Sequence, residues 1–85
     1  MKLSRSNRQN KKWSVVYNGK IVHFGVLRYE DYTQHHDLKR KIAYRKRHAR
    51  DFINDPNTAG FWSWHVLWNR ESLFDSFNEA VALLP

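Results

Sequence analysis

Residues 13–25, "WSVVYNGKIVHFG", carry the strongest local structure signal in the chain. Asn18 and Gly19 accept the positive φ angles of a two-residue type I′ turn, and β-branched and aromatic residues flank them on both sides. The sequence therefore predicts a β-hairpin. A turn of this length also fixes the register, which opposes Tyr17 to Lys20 next to the turn and Trp13 to Phe24 at the far end.

This register separates the hairpin side chains into two faces, because cross-strand partners lie on the same side of the ribbon. The predicted core face holds Trp13, Val15, Tyr17, Val22 and Phe24, and the opposite face holds Ser14, Val16, Ile21 and His23. A two-stranded ribbon is marginally stable in water. We therefore expect the core face to pack on helices.

A helix is predicted to begin near Asp37, whose carboxylate can cap the amides of Lys39 or Arg40; Thr33 is a possible earlier start. Steps of three and four residues define an apolar stripe that we expect to face the core. The stripe consists of Leu38, Ile42, Arg45, Ala49 and Phe52.

Two further helices are predicted. Thr58 can cap the segment "AGFWSWHVLW" (residues 59–68), although its alternating tryptophans also allow a strand. Ser72 and Asp75 resemble a capping box at the start of the last helix. The expected apolar face of that helix is Leu73, Phe77, Ala80, Val81 and Leu84. The predicted fold is a single α+β domain over residues 13–85, with a β-hairpin packed on two to three short helices.

Composition narrows the class of protein. A chain of 85 residues suits one small domain, whose core would depend on four Trp, four Tyr and five Phe. Cysteine is absent, which excludes disulfides and Cys-based metal sites. The basic N-terminus lacks the apolar run of a signal peptide, and no apolar stretch is long enough to span a membrane. We expect a soluble protein without a cofactor.

Charge is unevenly distributed along the chain. Residues 1–50 have a balance of +11, and residues 51–85 have a balance of −4. Residues 1–12 are polar and basic, which predicts a flexible arm, either a solvated tail or a contact for phosphates. This asymmetry favours a surface for a polyanion mounted on an apolar body.

The predicted second helix concentrates this charge, with seven bases between Lys39 and Arg50 and no acid among them. Like charges four residues apart destabilise an isolated helix, and a phosphate backbone would relieve the repulsion. The alternative is an ordinary solvated face. The predicted nucleic-acid-binding residues are Lys11, Lys12, His36, Lys39, Arg40, Lys41, Tyr44, Arg45, Lys46, Arg47, His48 and Arg50. Because Arg45 falls within the apolar stripe, we expect it to snorkel or to pair with Glu30 or Asp31.

The stretch "HFGVLRYEDYTQHHD" (residues 23–37) could be either a reaction centre or a joint between elements. Glu30, Asp31 and Asp37 would allow a metal-dependent nuclease, with His36 or His48 nearby. No two histidines have the spacing that places them on one helical face. We therefore expect a joint without a metal and without enzymatic activity.

The aromatic segment 59–68 has two alternative roles besides the core, a platform for base stacking or a surface for docking proteins. Docking would make the protein a structural or cement component of a larger assembly. Gly60, before Phe61 and Trp62, favours close packing within the domain.

The motifs GKIVHFG (residues 19–25), DYTQHHD (31–37), RKIAYRKRH (40–48) and TAGFWS (58–63) together resemble a family of small basic proteins encoded by large double-stranded DNA viruses of algae and protists and by some phages. The resemblance implies a protein located in the virion and, during infection, in the host cytoplasm or nucleus. We expect it to bind DNA non-specifically, for compaction or for genome attachment, with duplex DNA and capsid proteins as partners. The family pattern has an arginine where this chain has Trp64.

Overall fold

The computed structural model describes residues 1–85 and shows a single α+β domain, as the sequence predicts. An antiparallel sheet has the order β1-β2-β3, and four helices follow it. The strands are β1 (Ser4–Arg5), β2 (Lys11–Tyr17) and β3 (Lys20–Val26); the helices are α1 (Tyr32–His35), α2 (Leu38–His48), α3 (Ala59–Trp62) and α4 (Leu73–Ala82). α3 continues directly into a π-helical turn, Ser63–Leu67.

The hairpin prediction is confirmed in turn, register and face. Asn18 and Gly19 have φ values of 54° and 74°, and the pairing runs from Tyr17 with Lys20 to Trp13 with Phe24. Val15, Val22 and Phe24 are buried, whereas Val16 and Ile21 on the opposite face are exposed. A two-residue turn with positive φ at both positions leaves no freedom to slip, so the buried face follows from it.

The N-terminal segment differs from the predicted arm. Ser4 and Arg5 pair with Ser14 and Trp13 and form a third strand. Lys11 and Lys12 belong to β2 rather than to a segment outside the domain. The side chain of Leu3 packs against the core and anchors this short strand. A single leucine in a polar sequence was too weak a signal to predict this contact.

The core lies between the sheet and the C-terminal helices. Phe24, Trp62, Val66 and Ala80 have no exposed surface, and the indole Nε1 of Trp62 donates a hydrogen bond to the carbonyl of Pro56 at 2.7 Å. Residues 59–67 are helical throughout, as α3 and the π-helical turn. The helical prediction for the aromatic segment is confirmed, and the alternative strand is not formed.

Gly25 permits the close contact between β3 and the π-helical turn. It has a φ of +81°, and a Cβ added there would lie 2.8 Å from Cδ1 of Leu67. Gly60 is similarly close to the chain after α2, where a Cβ would lie 3.3 Å from the Cβ of Asp51. The prediction that Gly60 marks close packing is confirmed.

The predicted helix starts are confirmed at Asp37, Thr58 and Ser72, whose side chains accept backbone amides of the first turns. The earlier start near Thr33 is a separate one-turn helix, α1, capped by Asp31. Asp31 and Gln34 form a reciprocal capping box, in which each side chain satisfies an amide that the helix leaves free.

The predicted orientation of α2 is correct for Arg45 and wrong for the aliphatic residues. Leu38 and Ile42, which we expected in the core, are 57% and 58% exposed, and α2 contains no buried residue. Phe52, beyond the end of the helix, is also exposed. Arg45 of the predicted stripe does face the body, together with Lys41, Tyr44 and His48. Stacking of Tyr44 on Trp68 outweighs burial of the two aliphatic residues.

No helix has the length and apolar character to span a membrane.

Candidate nucleic-acid interface

The outer face of α2 is a row of exposed cations. Lys39, Arg40, Lys46 and Arg47 lie on the helix and Arg50 lies just beyond it, all exposed. Steps of three, four and seven residues place them on adjacent lines of the helical surface. Arg40 alone has a carboxylate partner within 4 Å, Glu30 at 3.8 Å. We call these five residues the basic face.

The inner side of α2 is held by an aromatic stack. The ring of Tyr44 lies 4.2 Å from Trp68 at an interplanar angle of 4°, and 4.2 Å from His48 at 22°. Both faces of Tyr44 are therefore covered, so its ring is not free to stack on a base. Burial raises the pKa of Tyr44 to about 12, which keeps its phenol neutral.

Arg45 contacts aromatic and backbone groups rather than an acid. Its guanidinium carbon lies 4.5 Å from the ring centroid of Trp64, and its Nε donates to the carbonyl of Trp68 at 2.8 Å. The predicted pairing of Arg45 with Glu30 or Asp31 is wrong. Burial lowers the pKa of Arg45, and its role is to bind α2 to the π-helical turn.

Lys41 also turns towards the body of the domain. Its Nζ lies 4.9 Å from the ring centroid of Tyr32. Burial, followed by the nearby charges of Arg45 and Arg70, lowers the pKa of Lys41. Contact with phosphates would require Lys41 to leave this ring.

Lys12 is engaged in a nearly buried network. Its Nζ donates to Oδ2 of Asp31 at 2.7 Å and to Oε1 of Gln34 at 2.6 Å, and the Lys12 and Asp31 side chains are only 9% and 4% exposed. The network ties β2 to α1. Asp31 therefore partners Lys12 and not Arg45, and Lys12 is withdrawn from the surface we predicted for it. Lys11, next in the strand, has no carboxylate partner.

The stretch 23–37 has the geometry of a joint. His36 ends α1 with a φ of 55°, and Asp37 then caps α2 through the amides of Lys39 and Arg40. Nδ1 of His36 lies 3.2 Å from Glu71. His48, at the far end of α2, lies 2.6 Å from Asp51, so both predicted histidines have carboxylate neighbours.

No group of three or more His, Cys, Asp or Glu side chains is placed to hold a metal ion. In particular, Asp31 is committed to capping α1 and Asp37 to capping α2.

A cleft of about 570 Å³ lies beside the basic face, bounded by one side of α2, the end of the hairpin and α3. Arg40 and Arg47 of the basic face line it on one side, and Lys11 lines it on another. Its floor includes Gly25, Leu67 and other small or apolar groups. Among the predicted site residues, Lys12, Tyr44 and His48 also line this cleft.

Sequence reasoning missed two residues of this region and the capping role of Asp31. Tyr29 lines the cleft, Trp68 supports Tyr44, and Asp31 organises the joint. The spacing of Asp31 and Gln34 is a capping signature that could have located α1. Tyr29 and Trp68 carried no comparable signal, because their positions depend on how α2 packs.

Comparison with known proteins identifies the family of this chain. Residues 1–48 match the model of the "Family of unknown function (DUF5754)", and this range runs from the N-terminus to the end of α2. No curated protein matches the chain. No solved structure matches it. Since the family model covers more than half of the chain, the protein belongs to this family of unknown function, DUF5754.

Proposed function

We propose that the protein binds nucleic acid through the basic face of α2. The observation that carries this proposal is a set of five exposed cations with one carboxylate partner among them, at 3.8 Å. Exposed helical charges in stable domains commonly alternate in sign. A row of one sign attracts a polyanion, and each neutralised phosphate releases counterions.

Exposed cations outside α2 also favour binding to a polyanion. Four further cations are exposed and have no carboxylate within 4 Å: Arg5 in β1, Arg8 between β1 and β2, Lys20 in β3, and Arg28 just after β3. They extend the positive potential beyond α2 and would speed association with a charged partner.

Phosphate contacts position a protein on DNA without reading sequence. Binding through the basic face would therefore be largely non-specific. The resemblance to proteins of large DNA viruses and phages supports a role of such binding in compaction of a viral genome or in its attachment to other virion components. Duplex DNA is the partner we propose.

The test is a salt titration of binding to a fluorescent 20-base-pair duplex, followed by anisotropy. If about six phosphates are neutralised, log affinity falls against log salt with a slope of about −5. Binding with a flat salt dependence would contradict the proposal, as would failure to bind at 50 mM salt.

A second candidate is a structural or cement protein of the virion, for which exposed apolar side chains argue. Leu38 and Ile42 on α2 and Phe74 on α4 are more than half exposed, and phosphate binding does not explain them. The aromatic segment 59–68, the alternative docking surface, is mainly core, since Phe61 and Trp62 are buried. Sedimentation without nucleic acid tests this candidate: self-association that rises with concentration favours it, and a monomer at 100 μM in about 150 mM salt does not.

A further inference from the structure

The cleft beside α2 is open and has room for a small planar molecule. Its volume of about 570 Å³ lies within the range of about 300–1,000 Å³ that is typical of small-ligand sites. The floor contains Gly25, Ala59 and Leu67, and the hydroxyl-bearing Ser63 also lines it. This mixture of apolar surface and a few polar groups suits an uncharged ring that carries hydrogen-bonding edges.

The charges around the cleft favour an anion. Its three carboxylates all have side-chain partners: Asp31 pairs with Lys12, Glu30 lies 3.8 Å from Arg40, and Asp51 lies 2.6 Å from Nδ1 of His48. Lys11 and Arg47 line the same cleft and have no carboxylate within 4 Å. A ligand with one or two phosphates would therefore meet free cations without competing against a free acid.

An exposed aromatic ring stands in the cleft wall. Tyr29 lines the cleft and is 60% exposed, although an aromatic side chain of this size is usually more buried. The guanidinium carbon of Arg28 lies over this ring, 5.1 Å from its centroid. A cation on one face leaves the other face for stacking, and nucleobases stack on such rings whatever their identity.

From these three features we propose that the cleft takes one unpaired nucleotide of a bound strand, with its base against Tyr29 and its phosphates near Lys11 and Arg47. This inference rests on the proposed function and deepens it, because Arg47 belongs to both the cleft and the basic face. A paired base cannot enter, since it would first have to leave the duplex. The protein would then bind single strands through both the basic face and the cleft, and duplexes through the basic face alone.

The distinguishing measurement compares a 12-nucleotide single strand with the blunt duplex of the same sequence, by anisotropy at 100 mM salt. Electrostatics alone favours the duplex, whose charge density is higher. The test variant is Tyr29→Ala. Its matched control is Phe74→Ala, which removes an aromatic ring that is 73% exposed, against 60% for Tyr29, on α4 outside the cleft.

We expect Tyr29→Ala to weaken single-strand binding at least about fivefold, since stacking on one base supplies about 1–3 kcal/mol. Its duplex affinity should change less than about twofold, and Phe74→Ala should alter neither affinity. A second variant, Ala43→Leu, narrows the cleft from α2. Its control is Ala49→Leu, at the exposed C-cap of α2 and outside the cleft. Ala43→Leu should reproduce the selective loss.

The outcomes separate this inference from the proposed function. Tyr29→Ala and Ala43→Leu could leave single-strand affinity unchanged, or could weaken single-strand and duplex binding equally. Either result would show that the cleft is not a nucleotide site, and it would leave the proposed binding through the basic face intact. If the unmodified protein binds neither ligand, the proposed function fails and the cleft inference fails with it. Circular dichroism of each variant verifies that the fold persists.

Discussion

The sheet and α3 share a closed core, whereas α2 is attached to that core by contacts along one side. Val15, Phe24, Trp62 and Leu67 are almost completely buried, and α2 has no buried residue. We therefore expect folding and the proposed binding to depend on different parts of the molecule. Changes in the core should alter stability, and changes on the basic face should alter binding without unfolding the domain.

The largest expected effect is in the core. Trp62→Ala removes a fully buried ring that contacts Phe24, Phe61 and Phe77, and large-to-small changes of this kind cost about 3–5 kcal/mol. Urea unfolding followed by far-UV circular dichroism measures the loss. A change below about 1 kcal/mol would show that the sheet and α3 are not the stable unit.

The Lys12–Asp31 pair ties β2 to α1, the one-turn helix that precedes α2, and its disruption should have the next largest effect. Asp31→Asn leaves Lys12 nearly buried without a counter-charge, for which we expect a loss of about 3 kcal/mol in unfolding free energy. Lys12→Met combined with Asp31→Asn removes both charges and should recover part of the loss. If the double variant is less stable than the single one, desolvation of Lys12 is not the cause.

The contact between α2 and the body can be weakened selectively at Tyr44. Tyr44→Ala removes the ring stacked between Trp68 and His48, which we expect to lower stability by about 2 kcal/mol. Hydrogen exchange should accelerate in α2 before it does in β2 and β3. Tyr44→Phe keeps the stack and serves as the control; uniform acceleration through the whole domain would contradict the separation of the two regions.

The smallest expected effect concerns how the free energy of unfolding depends on pH. Burial lowers the pKa of His35 and of His65 below the ordinary value of 6.5. For His35, Arg40 lowers it further, whereas Asp37, Glu30 and Asp31 act in the opposite direction. Nδ1 of His35 also accepts the amide of Asp37 at 2.9 Å, which requires the neutral ring. The unfolded chain therefore takes up protons first as pH falls through 6.5.

Stability should consequently be highest above about pH 7 and decline towards pH 5. His35→Asn, whose carbonyl oxygen can accept the same amide, should reduce this decline, and so should His65→Gln. Urea unfolding at a series of pH values between 5 and 7.5 checks the direction. Greater stability at pH 5 would contradict it.

Local rules were sufficient for most of the fold. Asn18 and Gly19 determine the hairpin register, and capping side chains determine where α2, α3 and α4 begin. These features depend on residues close in sequence. The orientation of α2 does not, because it is decided by Trp64 and Trp68, which the π-helical turn presents to Arg45 and Tyr44. Periodicity alone predicted that Leu38 and Ile42 face the core. It carries no information about contacts with Trp64 and Trp68, which are distant in sequence.

The candidate site divides in the same way. Charge density along the sequence located the basic face, and the structure leaves Lys39, Lys46 and Arg50 exposed. Lys12, Tyr44 and Arg45 were included among the binding residues because of their neighbours in sequence, yet tertiary contacts engage all three. The cleft was not predictable, since it is bounded by segments as distant as Lys11 and Trp68.

One comparison tests the central claim most directly: the salt dependence of duplex binding by the unmodified protein and by the quadruple variant Lys39→Gln, Lys46→Gln, Arg47→Gln, Arg50→Gln. The slope of log affinity against log salt should fall in magnitude from about 5 to about 2. The urea midpoint should not decrease, because none of the four side chains is buried or paired with a carboxylate. An unchanged slope, or a marked loss of stability, would contradict the assignment of α2 to binding.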